Sequence, residues 1–323
     1  MLLIALFIGN VPISPLEILH ILMTEVFGFD STTDLITRNL IINIRLPRVI
    51  ISFVTGAALA VSGSVVQSVL KNPLSSSYTL GVSSGSSLAV VLVLVLGLSS
   101  SIFGMFFTPL LAAFTGIVTI FIVLTLAKKI NRGLSDITVV LVGMVISIFI
   151  NSLAVTIGNR FPAYAAQINR WQMGVFSLHT WPIVIFLTIS TIIFISWISF
   201  YHLELDILTF GDDQATSMGI DTVKVKRKLL IISSTLTGII VSFVGVIGFV
   251  DLIAPHVIRR FFNASHKTLI PLAAIFGGIF MTLADIIART IIAPSELSIG
   301  SVTALFGVPF FFLILLKKGD FYA

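Results

Sequence analysis

The sequence predicts an all-α, polytopic membrane protein of about ten transmembrane helices. Of its 323 residues, 57% are apolar and only 10% are charged, and the mean hydropathy is +1.12. A soluble domain does not carry so little charge. The apolar residues fall in continuous runs close to the ~20 residues that a helix needs to cross a bilayer, not in the short alternating segments of a barrel. The charges gather at the ends of these runs, as expected of spans capped at the interface.

Residues 1–9 are apolar but too short to cross, and Asn10-Val-Pro-Ile-Ser-Pro follows at once. No basic stretch and no small-residue cleavage site mark a secretory signal. Residues 14–27 alternate apolar positions with Glu17, His20 and Glu25, which suits a short helix lying at the interface. Residues 30–43 are polar and connect it to Arg45. A largely apolar run 22 residues long, 49–70, follows Arg45-Leu-Pro-Arg48 and precedes Lys71-Asn-Pro. On it, Gly56, Ala60, Gly63 and Gln67 share one helical face. Small faces let membrane helices approach closely. An alternative reading has Ser62, Ser64 and Gln67 bordering a wet pathway.

Residues 80–98 and 103–127 form the next spans, separated by Ser99-Ser100-Ser101 and closed by Lys128, Lys129 and Arg132. Residues 137–157 follow. The stretch 158–180, with Arg160, Pro162, Arg170 and Trp171, reads as a short helix packed at the membrane face. Residues 181–200 cross again, and 203–228 is the long hydrophilic stretch of the second half. Residues 229–262 are apolar for 34 positions, interrupted by Gly245 and Gly248. Spans at 269–288 and 302–316 complete the chain.

All nine lysines lie at 71, 128–129, 224–228, 267 and 317–318. Placing them inside satisfies the positive-inside rule and demands an even number of crossings between Lys228 and Lys267. The 34-residue run must then go out and return, turning at its glycines with at least one short helix. A single long tilted helix is the rival and would put Lys267 outside. The same assignment leaves Arg38, Arg45, Arg48, Arg160, Arg170 and Arg289 outside with no lysine, and both termini in the cytoplasm.

Cysteine is absent, so no disulfide or thiolate-metal site exists. The net charge of +5 is not a nucleic-acid signal in a membrane protein. There is no G-x-x-x-x-G-K-[ST], so the chain does not cradle nucleotide phosphates itself. Asp212-Asp213 has no second paired-acid motif to complete a metal–diphosphate site, and His202 and Glu204 are two apart, off one helical face. In residues 210–221, Asp212 suits a helix N-cap, Gly219 a left-handed helix end, and Asp221 the cap of a second helix. Asp285 and Arg289 are four apart and can pair.

Several fragments in fixed order carry a resemblance. They are R-L-P-R at 45–48, the small-residue helix, N-P-L at 72–74 and L-G-x-x-x-G at 80–85. Later come G-F-x-x-L-x-x-P-H-x-x-R at 248–259, A-D-x-x-A-R at 284–289 and L-x-I-G-x-V-T-A-L-x-G-x-P-F at 297–310. Together these resemble the permease subunits of iron-siderophore, haem and vitamin B12 importers, ATP-binding-cassette systems of the FecCD type. Asp251 stands where the family commonly has a small residue, and Ser298 where proline is common. The family opens with a full first span, so the resemblance implies that the first helix here lacks its front.

The resemblance implies a single permease domain over residues 1–323 that is not itself an enzyme. It implies a second permease copy, or a similar subunit, around a central path in the bilayer. ATPase subunits holding ATP and Mg would bind inside, and an extracytoplasmic substrate-binding protein would dock outside. The chain itself would bind no cofactor, metal or nucleic acid. The coupling segment would be Gly211, Asp212, Asp213, Gln214, Ala215, Met218 and Gly219, matching G-x-x-x-A-x-x-x-G. Arg45, Arg48 and Arg289 would receive glutamates of the binding protein. Gly56, Ala60, Gly63, Gln67, Asn72 and Pro73 would serve the path or helix packing. The implied cargo is a ferric siderophore, with haem or a corrinoid as alternatives. The rival from another class is an ion-coupled secondary transporter. It needs ionisable groups near mid-membrane, for which Asp251 is the candidate.

Overall fold

The computed structural model describes residues 1–9, 11–27, 34–98, 106–177, 179–262 and 265–316. The turn at 99–101, the front of the 30–43 connector, the start of the span at 103 and the lysines at 317–318 lie outside the described residues. The chain opens with α1 (Leu2–Phe7) and α2 (Pro15–Phe27). Then α3 (Leu35–Asn39) runs through a π-helical turn, Leu40–Arg45, into α4 (Leu46–Val69). Residues Leu35–Val69 therefore form one helical run of 35 residues. The reading of 30–43 as a polar connector is corrected from Leu35 onward. Its polar residues hide a helical register in which Arg38 reaches back to Glu25 on α2, Nη2 to Oε2, at 2.5 Å. The wider turn precedes Pro47, which brings no N–H to the ladder. Arg45 and Arg48 consequently lie within the helix rather than ahead of it.

The bundle continues with α5 (Val82–Val95), α6 (Phe107–Ile130) and α7 (Asp136–Arg160). A 3-10 turn, Pro162–Tyr164, leads to α8 (Ala165–Gln172), then α9 (Trp181–Ser199). The polar second half holds α10 (His202–Leu208) and α11 (Asp212–Ser217) before α12 (Thr222–Val244). The end is α13 (Val250–Phe261), α14 (His266–Thr290) and α15 (Ile299–Leu316). The short helix expected in 158–180 is α8, seated through Ile168 among Val91 and Ala154. Among the described residues, six helices are long and apolar enough to cross a membrane: the α3–α4 run, α6, α7, α9, α12 and α14.

The α4 helix is the axis of the bundle, enclosed by α9, α12, α13 and α14. Its glycine face makes that approach possible. A Cβ on Gly56 would stand 2.0 Å from the carbonyl oxygen of Gly277, and one on Gly63 would stand 2.0 Å from that of Asp251. Ala60 lies across from Gly277 on the same seam. The small face is therefore packing surface against α14 and α13, as close backbone approach requires. Gly63→Leu is expected to cost about 1–3 kcal/mol by overpacking, read as a lower thermal midpoint of the detergent-solubilised protein. An unchanged midpoint would contradict the contact.

The 34-residue apolar run breaks where its glycines stand. The α12 helix ends at Val244, Gly245 turns with φ +81°, and α13 starts at Val250. A side chain at Gly245 would also meet the carbonyl of Trp171 at 2.1 Å. Non-helical backbone at membrane depth must find partners in protein. Here Val175 N–H donates to Val244 O at 2.8 Å, and Tyr78 OH donates to Ile247 O at 2.7 Å. One continuous helix is thereby excluded.

Candidate functional site

Two polar assemblies lie at opposite ends of α4, which by helical rise spans about 36 Å. The first surrounds residues 206–228. Gly211, φ +115°, lets the chain turn into α11, and Gly219, φ +88°, turns it out. Asp221 caps α12, its Oδ1 accepting from Lys224 N–H at 3.1 Å. Ala215 is fully buried and anchors α11, while Phe210 and Met218 are largely exposed at the tip. Space is open beside Gly211 and Gly219. Asp213 and Gln214 share the exposed side of this short helix with Met218.

Asp212 does not cap α11. The N-cap is Gly211, and the carboxylate of Asp212 turns to two ammonium groups instead. Its Oδ2 lies 2.6 Å from Lys226 Nζ and its Oδ1 lies 2.8 Å from Lys71 Nζ. Asp136, at the start of α7, completes a square, 2.6 Å from Lys226 and 3.0 Å from Lys71. Two cations and two anions thus tie α11 to α12, to the foot of α4 and to α7. Lys226 is 1% exposed, so its charge is committed to this square. Beside it, Asp206 of α10 accepts from the N–H of His266 at 2.8 Å and so holds the start of α14. His266 Nε2 lies 2.6 Å from Ser68 Oγ, and Arg259 joins Ser68 to Gln67.

Burial alone would raise the Asp212 carboxyl, but Lys226 and Lys71 outweigh it and hold the group below its ordinary value. A depressed carboxyl contributes stability above its unfolded value, about 3.9, and loses it as pH falls through the folded one. The gap in thermal midpoint between the parent and Asp212→Asn is therefore expected to be constant near neutrality and to close below about pH 4. A gap that persists in strong acid would contradict the pairing.

The amide of Gln67 donates to Asp251 O at 3.1 Å and accepts from Arg259, and Ser62 Oγ bonds Ser77, Ser233 O and Thr237. Ser64 Oγ donates to Ala60 O on its own helix at 2.8 Å. These three are buried in the single chain. Asn72 and Pro73 form the turn after α4, with Asn72 Oδ1 accepting from Leu74 N–H at 2.9 Å. Asp251 is 3% exposed in the first turn of α13, and neither carboxylate oxygen has a hydrogen-bond partner among the described residues.

The second assembly gathers Arg45, Arg48 and Arg289, all buried. Arg48 Nε donates to Asp285 Oδ1 at 2.9 Å and its Nη1 to Glu296 Oε1 at 2.7 Å. Arg289 donates to Ala5 O at 2.5 Å and stands 3.6 Å from Asp285 Oδ2. Arg45 donates to Leu6 O at 3.0 Å and to Val11 O. Arg45 and Arg289 thus bind carbonyls at the end of α1, where a helix favours cations. The structure brings the three arginines together, with their forks engaged inside the chain. Glu296, whose side chain is 37% exposed, is the member of the cluster open to solvent. A cavity of about 300 Å³ beside it is lined by Arg48, Arg170, Ser177, Glu296 and Ser298, among others. Arg160 and Arg170 are the exposed arginines at this end among the described residues, and Arg38 is half-buried.

Sequence reasoning missed Lys71, Asp136 and Lys226 as a unit. Their only signals are position: Lys71 ends an apolar run and Asp136 begins one.

Comparison with known proteins adds four findings. The model of the FecCD transport family matches residues 1–317. The Bacillus subtilis ABC transporter permease protein YvrB is 38% identical over 300 residues, 90% of this chain and 82% of that protein. The iron(3+)-hydroxamate import system permease protein FhuG, also of B. subtilis, is 34% identical over 319 residues, 97% of this chain and 92% of its own length. Among solved structures, an inward-facing conformation of a metal-chelate type ABC transporter aligns with a TM-score of 0.80 at 26% identity, covering 93% of this chain and 97% of that one.

Proposed function

The chain belongs to the FecCD transport family, and from that premise we propose that it is the membrane permease of an ATP-driven importer that takes up a ferric siderophore. The observation that carries this reading is the 210–221 corner, exposed at its tip yet bolted to α4, α7 and α12 by the Lys71–Asp136–Asp212–Lys226 square. A push on such a corner reaches three long helices at once. ATPase subunits seat on Phe210 and Met218, which are large apolar side chains without cover in the single chain. ATP and Mg belong to those subunits, and this chain performs no catalysis.

Both termini lie in the cytoplasm and the chain is multi-pass in the bacterial cytoplasmic membrane. The count of about ten crossings adds the short helices α5, α13 and α15 to the six long ones, with the six-residue α1 as a fragment too short to cross alone. A second permease copy covers α7, which exposes Leu141, Val145, Ile148 and Phe149 together with Asn151 and Ser152. A mixed face of this kind suits a path shared by two subunits better than lipid alone.

The binding protein docks at the arginine end. Arg48 is already neutralised by Asp285 and Glu296, so an incoming carboxylate has to displace Glu296. Glu296→Gln is therefore expected to tighten binding-protein affinity by about tenfold, a gain that weakens with salt. Weaker or unchanged affinity would remove Arg48 from the docking site, leaving the arginine cluster as a clamp on α1.

Cargo is tested by uptake. Cells lacking the chain should lose accumulation of radiolabelled iron from ferric hydroxamates and regain it with the gene restored. Unaltered hydroxamate uptake, with loss of haem or corrinoid uptake instead, would overturn the siderophore assignment.

A further inference from the structure

The run 224–228 carries four cations, and three have a clear partner. Lys224 Nζ is 2.8 Å from Asp221, Lys226 is held in the square, and Lys228 stands 4.8 Å over the ring of Tyr201. Arg227 differs. It faces a cavity of about 510 Å³ at the last turn of α6, whose other walls are Leu124, Thr125, Lys128, Lys129 and Arg132. All four cations of this cavity are exposed, and none has a carboxylate within ion-pair distance among the described residues. The carboxylate that senses Lys128, Asp221, is itself engaged by Lys224. Four like charges converging on one hollow repel one another unless an anion joins them.

The surroundings indicate which anion. The same end of α6 exposes Phe121, Ile122, Leu126 and Ile130. These belong to a span of mean hydropathy 2.5, so the cavity opens where hydrocarbon meets the membrane surface. A ligand with a negative head and apolar tails matches both halves, and basic hollows between spans are where such headgroups bind. We infer that the Lys128–Lys129–Arg132–Arg227 cavity is a binding site for the phosphodiester headgroup of an anionic phospholipid. Its acyl chains lie along the exposed apolar face of α6. The site stands independently of the transported cargo.

The test uses the full-length permease in detergent, titrated with dioleoyl phosphatidylglycerol, dioleoyl phosphatidylcholine or inorganic phosphate. Retained lipid is counted by native mass spectrometry, and the thermal midpoint is followed in parallel. Phosphatidylglycerol alone is expected to be retained and to raise the midpoint. Lys129→Gln with Arg227→Gln should raise the half-saturating lipid concentration about thirtyfold, at roughly 1 kcal/mol per cation. If that double variant fails to insert, each single variant carries the same test at about fivefold. Arg260→Gln with Lys267→Gln, two exposed cations outside the cavity, should leave it unchanged. Undiminished retention by the cavity variants, equal loss in the outside pair, or full replacement of the lipid effect by phosphate would each overturn the assignment.

Discussion

Lys226→Met is expected to lower stability by about 3 kcal/mol and to abolish ATP-dependent transport. The figure is at the lower end of the range for breaking a buried ion pair, because Asp136 and Asp212 are 19% and 33% exposed. Removal of the ammonium leaves two carboxylates sharing Lys71 alone, and α11 loses its tie to α12. A second substitution separates stability from coupling. Asp136→Asn in the Lys226→Met background removes the surplus negative charge and should restore much of the thermal midpoint. It should not restore transport, since the tie from Asp212 on α11 to α12 is still missing. A single variant with parental midpoint and parental uptake would show that the square transmits nothing.

Arg48→Met should be at least as damaging, by about 3–5 kcal/mol. Asp285 is fully buried, and without Arg48 its nearest cation is Arg289 at 3.6 Å. Charge reversal at Arg48 would be worse still, placing a third carboxylate between Asp285 and Glu296. Loss of binding-protein docking in such a variant would therefore report loss of the folded end of the bundle. Arg48→Met combined with Asp285→Asn should recover part of the stability, because the orphaned charge is gone. A parental midpoint for Arg48→Met alone would mean that the pair to Asp285 contributes little.

Features with a local cause were legible in the sequence. The small face of Gly56, Ala60 and Gly63 follows helical spacing, and the structure sets it against Gly277 and Asp251. The break at Gly245 follows from lysine placement and run length, and Gly219 and Asp221 end and start helices by their own backbone and side-chain chemistry. Features that depend on distant partners were not legible. Arg48 meets residues 237 and 248 positions away, and Lys226 meets Asp136 across 90. Asp212 has the composition of an N-cap, but two ammonium groups outcompete the helix N–H groups for it. The start of the α4 run at Leu35 was obscured because Arg38 and Asn39 break the apolar pattern while their backbone stays helical.

Asp251 bears on the choice of energy source. It is the carboxylate an ion-coupled transporter would use; it is 3% exposed in the single chain, and its backbone carbonyl is set against Gly63 of α4. The decisive measurement is uptake of a ferric chelate into proteoliposomes holding the permease with its ATPase subunits, with the binding protein outside. The account predicts uptake that requires ATP on the ATPase side and continues when ionophores collapse every ion gradient. Uptake that proceeds without ATP under an imposed proton or sodium gradient, and stops with an uncoupler, would contradict it.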